Sequence, residues 1–215
     1  MIKIVSVFLT LLLITHANTI EEGNDAYSEG NYEKAFNIFN QSCAGGDVEG
    51  CSNLALMYNQ GKGVAKNLKR SYTLFSTSCD NGSTQACINL AIIYRMGEGV
   101  TKNLKKSFDL LSSACKNNNL EGCARLGLMY EKGDFVPQNL KKSFDLQYKA
   151  CDGGNAMGCS YLGAMYYNGL GVRQNVEVAK MLFGMSCDGG FQEGCTHYKT
   201  IINREKPSKF TVSPI

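Results

Sequence analysis

The chain has 215 residues, 44% of them hydrophobic, enough for one ordinary globular domain. A formal charge of +3 is too small to favour a nucleic-acid partner, which goes with a domain pI above about 9. With 3 prolines, no tryptophan and no long alternating apolar runs, the composition favours helices.

The first element in chain order is a leader. Met1-Ile2-Lys3 supplies a short positive start, Ile4 to Ile14 is apolar except for Ser6 and Thr10, and Thr15-His16-Ala17 offers a small-residue cleavage site. That is the plan of a signal peptide over residues 1–17, and its apolar run is too short for the roughly 20 residues that span a bilayer. The mature chain is therefore expected to be soluble and exported, to the periplasm or outside the cell, with no membrane contact after signal removal. Residues 18–30, with Asn24-Asp25-Ala26-Tyr27, are expected to form an N-terminal capping helix.

From residue 31 to 204 a single pattern runs five times with a period of 36. Asparagine recurs at 31, 67, 103, 139 and 175, placed as a helix N-cap. An apolar face follows it, Leu104, Phe108, Leu111 and Cys115 in one copy and Leu140, Phe144 and Cys151 in the next, which makes the first helix of each pair amphipathic. The second helix carries Cys51-Leu54-Met57-Tyr58 and its counterparts from Cys87, Cys123 and Cys159. Small residues (Ala55, Ala91, Gly127, Gly163) permit close helix approach, and the tyrosines at 58, 94, 130 and 166 are read as core packing. A glycine loop such as Gly61-Lys62-Gly63-Val64 then leads to the next asparagine. The last copy keeps its cysteines but has Tyr198-Lys199 for Leu-Gly, and residues 205–215 read as a loose tail.

Ten cysteines stand in five C-x7-C pairs, which in an exported chain reads as a disulfide framework. Each copy must build the same local structure, so each pair is expected to close within its own copy: Cys43–Cys51, Cys79–Cys87, Cys115–Cys123, Cys151–Cys159 and Cys187–Cys195. Zinc is the alternative, but its sites favour tighter ligand spacing and the mature chain keeps only His197, so no metal and no cofactor are expected. Cysteines eight apart in one straight helix lie about 12 Å apart along the axis, whereas a disulfide needs Cα atoms within roughly 4.4–6.8 Å. The helix must therefore reverse between them, and turns such as Asp152-Gly153-Gly154-Asn155 supply the residues for it.

A 36-residue helix–turn–helix unit with L-G-x-M-Y, G-x-G-V and a cap asparagine resembles the Sel-one-like repeat, a relative of the tetratricopeptide repeat. The C-x7-C pair in every copy narrows the resemblance to the exported Helicobacter cysteine-rich (Hcp) proteins. The expected fold is an all-α, right-handed α/α solenoid of such helix pairs with one disulfide per repeat. The resemblance also implies penicillin binding or a slow β-lactamase activity with a link to peptidoglycan. It carries no nucleophile with it, because only scaffold positions match.

The residues themselves hold little catalytic chemistry. With one histidine left after signal removal, hydrolase triads and zinc hydrolases are nearly excluded, and there is no P-loop, G-x-G-x-x-G or G-x-S-x-G. Ser113-Ala114-Cys115-Lys116 matches the S-x-x-K of serine β-lactamases, with Ser113 as nucleophile and Lys116 one turn on, but no K-T-G accompanies it and about one such match is expected by chance. Basic pairs recur at Lys69-Arg70, Lys105-Lys106 and Lys141-Lys142, near helix starts where positive charge opposes the dipole. They are read as solubilising residues with Lys105–Asp109 and Lys141–Asp145 as i, i+4 partners, or else as a stripe for an anionic ligand.

The exposed side of the first helices varies from copy to copy. In register it reads Lys34, Arg70, Lys106, Lys142, Val178, then Asn37, Thr73, Asp109, Asp145, Met181, then Gln41, Thr77, Ser113, Lys149, Met185. A concave groove with Arg70, Thr73, Thr77, Lys106, Asp109, Lys142, Asp145 and Lys149 on it is what a binding solenoid uses. The functional expectation is thus a monomeric exported protein that binds a peptide or cell-wall-derived ligand in that groove. A weak β-lactamase and a secreted host-interaction factor are the alternatives.

Overall fold

The computed structural model describes residues 20–205, which hold eleven helices and no strand. The expected leader, and the expected tail beyond residue 205, lie outside the described residues. The chain divides at Leu110 into two compact units.

The first unit begins with α1 (20–28), followed by α2 (Tyr32–Ala44), α3 (Val48–Gln60), α4 (Leu68–Asp80), α5 (Thr84–Met96) and the start of α6 (Leu104–Lys116). The second contains the end of α6, then α7 (Leu120–Lys132), α8 (Leu140–Asp152), α9 (Ala156–Asn168), α10 (Val176–Asp188) and α11 (Gln192–Glu205). From α2 onward the even-numbered helices are the first of each pair and the odd-numbered ones the second.

Each first helix starts on its asparagine: the Oδ1 atoms of Asn31, Asn67, Asn103, Asn139 and Asn175 accept from the backbone N–H three residues on. Second helices are capped the same way by Asp47, Ser83, Asn119 and Asn155. A cap lost to alanine costs about 1 kcal/mol, so these nine fix where the chain turns. Each cap asparagine from Asn67 onward also donates its own backbone N–H to the carbonyl of the preceding tyrosine, at Tyr58, Tyr94, Tyr130 and Tyr166.

The hairpin between the helices of a pair is stapled. All five expected bridges are present, with Cα atoms 4.4–4.7 Å apart. The second residue of each turn takes positive φ: Gly46, Gly82, Asn118, Gly154 and Gly190. In the longer loops the left-handed residue two positions past the helix cap is Gly63, Gly99 and Gly171 in three copies and Phe135 (φ 71°) in the fourth.

The buried stripe of the first helices matches the expected apolar face only in part: Leu111, Cys115 and Cys151 are buried. Leu104, Phe108, Leu140 and Phe144 are half-buried, while the fully buried line runs through Ser107, Leu111 and Ala114, and through Ser143, Gln147 and Ala150. Small residues at 35, 71, 107, 143 and 179 let the first helix approach its neighbours, and in the first four copies a half-buried ring (Phe36, Tyr72, Phe108, Phe144) stands one place further on. In the second helices Leu54, Met57 and Tyr58, and Leu90, Ile93 and Tyr94, are buried as the pattern requires. A Cβ on Gly163 would lie 3.0 Å from the Phe183 ring, which is why α9 approaches α10 so closely.

The last helix presents a different surface. Thr196 and Lys199 of α11 are exposed, whereas their counterparts Ser52 and Ala55, Ala124 and Gly127, and Ser160 and Gly163 are small and buried. A polar terminal face is how a repeat array ends without inviting another repeat.

Candidate functional site

The variable positions of the first helices are almost all exposed, as are both members of the Ser113/Lys116 pair. What the structure adds is which of these side chains are already engaged. In the first unit the Arg70 guanidinium lies over the Tyr58 ring, 5.0 Å from its centre, and the Lys106 ammonium lies 4.9 Å from that of Tyr94. In the second unit Lys142 lies 5.1 Å from the centre of the Tyr130 ring. The same place is filled by a Lys34–Glu22 ion pair of 2.9 Å in α2 and by Val178, packed in the same cluster as Tyr166, in α10. The second cation of each basic pair is therefore part of the packing, which accounts for positive charge at an unfavourable helix end. Each such contact is worth about 0.5–1 kcal/mol at an exposed site.

The i, i+4 expectation holds in one copy of two. Lys105 and Asp109 form an ion pair at 2.7 Å, while Lys141 and Asp145 are not paired. Thr73 donates its hydroxyl to the Lys69 carbonyl, and Lys149 donates to Asn118 Oδ1 at 3.0 Å. Thr77 and Asp145 are exposed without a side-chain partner among the described residues. On α10 the same face turns apolar, with Met181 and Met185 exposed, and on α8 the exposed Tyr148 stacks on Phe144 at 6.3 Å. Ser113 and Lys116 share the last turns of α6 but are not hydrogen-bonded to each other.

Charge perturbations are few. A hydrogen bond to Tyr94, and secondarily burial, raises the Tyr72 phenol in the first unit, where the two hydroxyls lie 2.9 Å apart. The ion pair with Glu22 raises Lys34, and the hydrogen bond with Tyr27 raises Lys62. Burial raises the Glu131 carboxyl. Among the described residues no group of three or more histidine, cysteine, aspartate or glutamate side chains could hold a metal ion.

Sequence reasoning missed a cavity of the second unit. About 310 Å3 lies between α9 and α11, floored by Phe183 and lined by Ala164, Tyr167, Asn168, His197, Thr200 and Ile201. Its residues come from three separate elements, and nothing in the repeat pattern marks them.

Paired helices of 13 residues, capped alike and stapled at each hairpin, define a disulfide-linked α/α repeat protein. The chain belongs to the Sel1 repeat family, whose model matches residues 20–47, 48–83, 84–119, 120–155 and 156–191. In that frame each of the first four bridges joins one matched segment to the next, since Cys43 falls in one and Cys51 opens the following. No curated protein matches the chain. A Sel1 repeat protein from Oxalobacter formigenes is similar over 87% of this chain and 85% of its own, at 22% identity and a TM-score of 0.69. The protein c5321, a protective antigen of uropathogenic Escherichia coli with an SLR fold, is 25% identical over 88% of this chain and 41% of its own, with a TM-score of 0.66. The cysteine-rich protein B of Helicobacter pylori is 31% identical over 61% of this chain and 95% of its own, at a TM-score of 0.48. Among the described residues no helix is long and apolar enough to cross a membrane.

Proposed function

We propose that this protein works in an oxidising compartment outside the cytoplasm as a binding scaffold, and that it captures a polypeptide or cell-wall-derived ligand on the exposed faces of its first helices. One observation carries the reading. Caps, bridges and buried small residues repeat from copy to copy, and ring–cation contacts recur in three of them, while two exposed positions of each first helix, those in register with Asn37 and Gln41, change their chemistry. A scaffold whose caps and staples repeat while its solvent-facing residues vary is suited to recognition. Five bridges agree with an oxidising environment, and export follows from the leader read in residues 1–17. A secreted factor that meets another organism's proteins is one form of the same reading. The β-lactamase alternative rests on the family resemblance; Ser113 is exposed and makes no hydrogen bond to Lys116.

The test is to pan the purified, oxidised chain against a random peptide library, with Thr73→Arg/Thr77→Arg and Asp145→Arg/Lys149→Glu variants alongside. Peptides that lose binding to either variant support the reading. Enrichment of none, or only of peptides indifferent to both variants, contradicts it.

A further inference from the structure

The cavity between α9 and α11 lies away from the variable positions of the first helices, and its chemistry is specific. Its floor is apolar: Phe183 and Ile201 are 3% and 4% exposed and belong to one core cluster, with Ala164 and Tyr167 packed against it. The His197 ring lies 4.9 Å from that of Phe183, so the cavity has aromatic surface on more than one side. At about 310 Å3 it is twice the size of the roughly 150 Å3 apolar cavity that accepts a benzene ring, and so has room for a fused bicycle.

The polar atoms of the lining select the ligand further. Thr200 donates its hydroxyl proton to the Thr196 carbonyl at 2.8 Å, so its oxygen can only accept. Asn168 donates one Nδ2 hydrogen to the Ala164 carbonyl at 3.0 Å, and its Oδ1 is an acceptor beside the second N–H. A flat apolar molecule with one N–H donor at its edge would satisfy both surfaces.

The first unit holds a smaller counterpart of the same arrangement. A cavity of about 220 Å3 is lined by Asn24, Phe39, Asn53 and Leu56, each four repeat lengths before Asn168, Phe183, His197 and Thr200. There Asn53 donates to Asn24 Oδ1 at 3.2 Å and joins the two walls. In the second unit Asn168 bonds its own helix instead, and an imidazole replaces the second amide.

We propose that the cavity between α9 and α11 is a binding site for an indole-type ligand, an apolar bicyclic ring with a single N–H donor. The ring can belong to a free aromatic molecule or to a tryptophan side chain of a polypeptide.

The chain has no tryptophan, so an indole ligand can be followed by its own fluorescence. The full oxidised chain is titrated into indole, N-methylindole and N-acetyltryptophanamide, and the methyl resonances of Ala164, Thr200 and Ile201 are recorded with each. Saturable indole binding with shifts at those methyls is expected, with N-methylindole weaker by about fivefold or more for the lost hydrogen bond. The isosteric Thr200→Val should narrow the gap between indole and N-methylindole, and Ala164→Phe should abolish binding by filling the space. Binding of N-acetyltryptophanamide as tight as indole assigns the site to polypeptide side chains, and binding of indole alone assigns it to free aromatic molecules. No saturation by indole up to its solubility limit, shifts confined to residues of the first unit, or equal affinity for N-methylindole would overturn the assignment.

Discussion

Gln147 is the largest polar side chain sealed in the interior, and replacing it is expected to strengthen the protein. It is fully buried and occupies the register place that holds Phe39, Phe75, Leu111 and Phe183 in the other copies. Its Nε2 donates to the Ala124 carbonyl at 2.9 Å, but its Oε1 is buried without a partner. An orphaned buried acceptor costs about 1–3 kcal/mol, while the hydrogen bond that would be lost is worth about 0.5–1.5 kcal/mol net. Gln147→Leu keeps a similar length and removes both. Gly127, where a Cβ would lie 2.7 Å from Nε2, leaves room for either side chain. The balance is a gain of about 1 kcal/mol, or a rise of roughly 2–4 °C in Tm for a chain of this size. Urea unfolding of the oxidised protein should show a higher midpoint at unchanged slope. A loss of 1 kcal/mol or more in Gln147→Leu would show that Oε1 is satisfied in solution, and would refute the reasoning.

Three further predictions follow from the same geometry. Replacing both Cys79 and Cys87 by serine should cost about 2.5 kcal/mol on the loop-entropy estimate for a short closed loop, and in limited reduction the buried Cys115–Cys123 and Cys151–Cys159 bridges should open last by mass spectrometry. Lys106→Ala and Arg70→Ala should each lower stability by about 0.5–1 kcal/mol, more than Lys105→Ala, whose exposed ion pair is worth a few tenths. Burial disfavours the charged form of Glu131, so the folded state binds its proton more readily than the unfolded chain and stability rises as pH falls through the window just above the ordinary carboxylate range. Glu131→Gln should therefore melt higher than the parent at neutral pH and match it below that window.

Much of the fold was legible because the cysteine spacing and the cap asparagines each encode a local geometric event. A C-x7-C pair cannot bridge along one helix, and an asparagine before an amphipathic run can only start it. The second set of caps, at Asp47, Ser83, Asn119 and Asn155, was open to the same reasoning but hidden among turn residues of similar type. The core stripe was legible at Leu111, Cys115 and Cys151 but misplaced at the rings, where size was taken for burial: Ser107 and Ser143 are sealed while Phe108 and Phe144 are half-exposed, since close helix approach needs a small residue at the contact. The pairing of each cation with the tyrosine twelve residues earlier was invisible, because the two lie on different helices with a loop between them. His197, Phe183 and Asn168 meet only through the stacking of α9, α10 and α11, and no one-dimensional pattern announces that.

The central claim is that ligands are taken by the exposed faces of the first helices. Hydrogen exchange and methyl chemical-shift mapping with a peptide recovered from the library test it most directly. The account predicts that the perturbed residues are Thr73 and Thr77 of α4, Asp145 and Lys149 of α8, or Met181 and Met185 of α10. Perturbation confined to the second helices or to the stapled turns would contradict it.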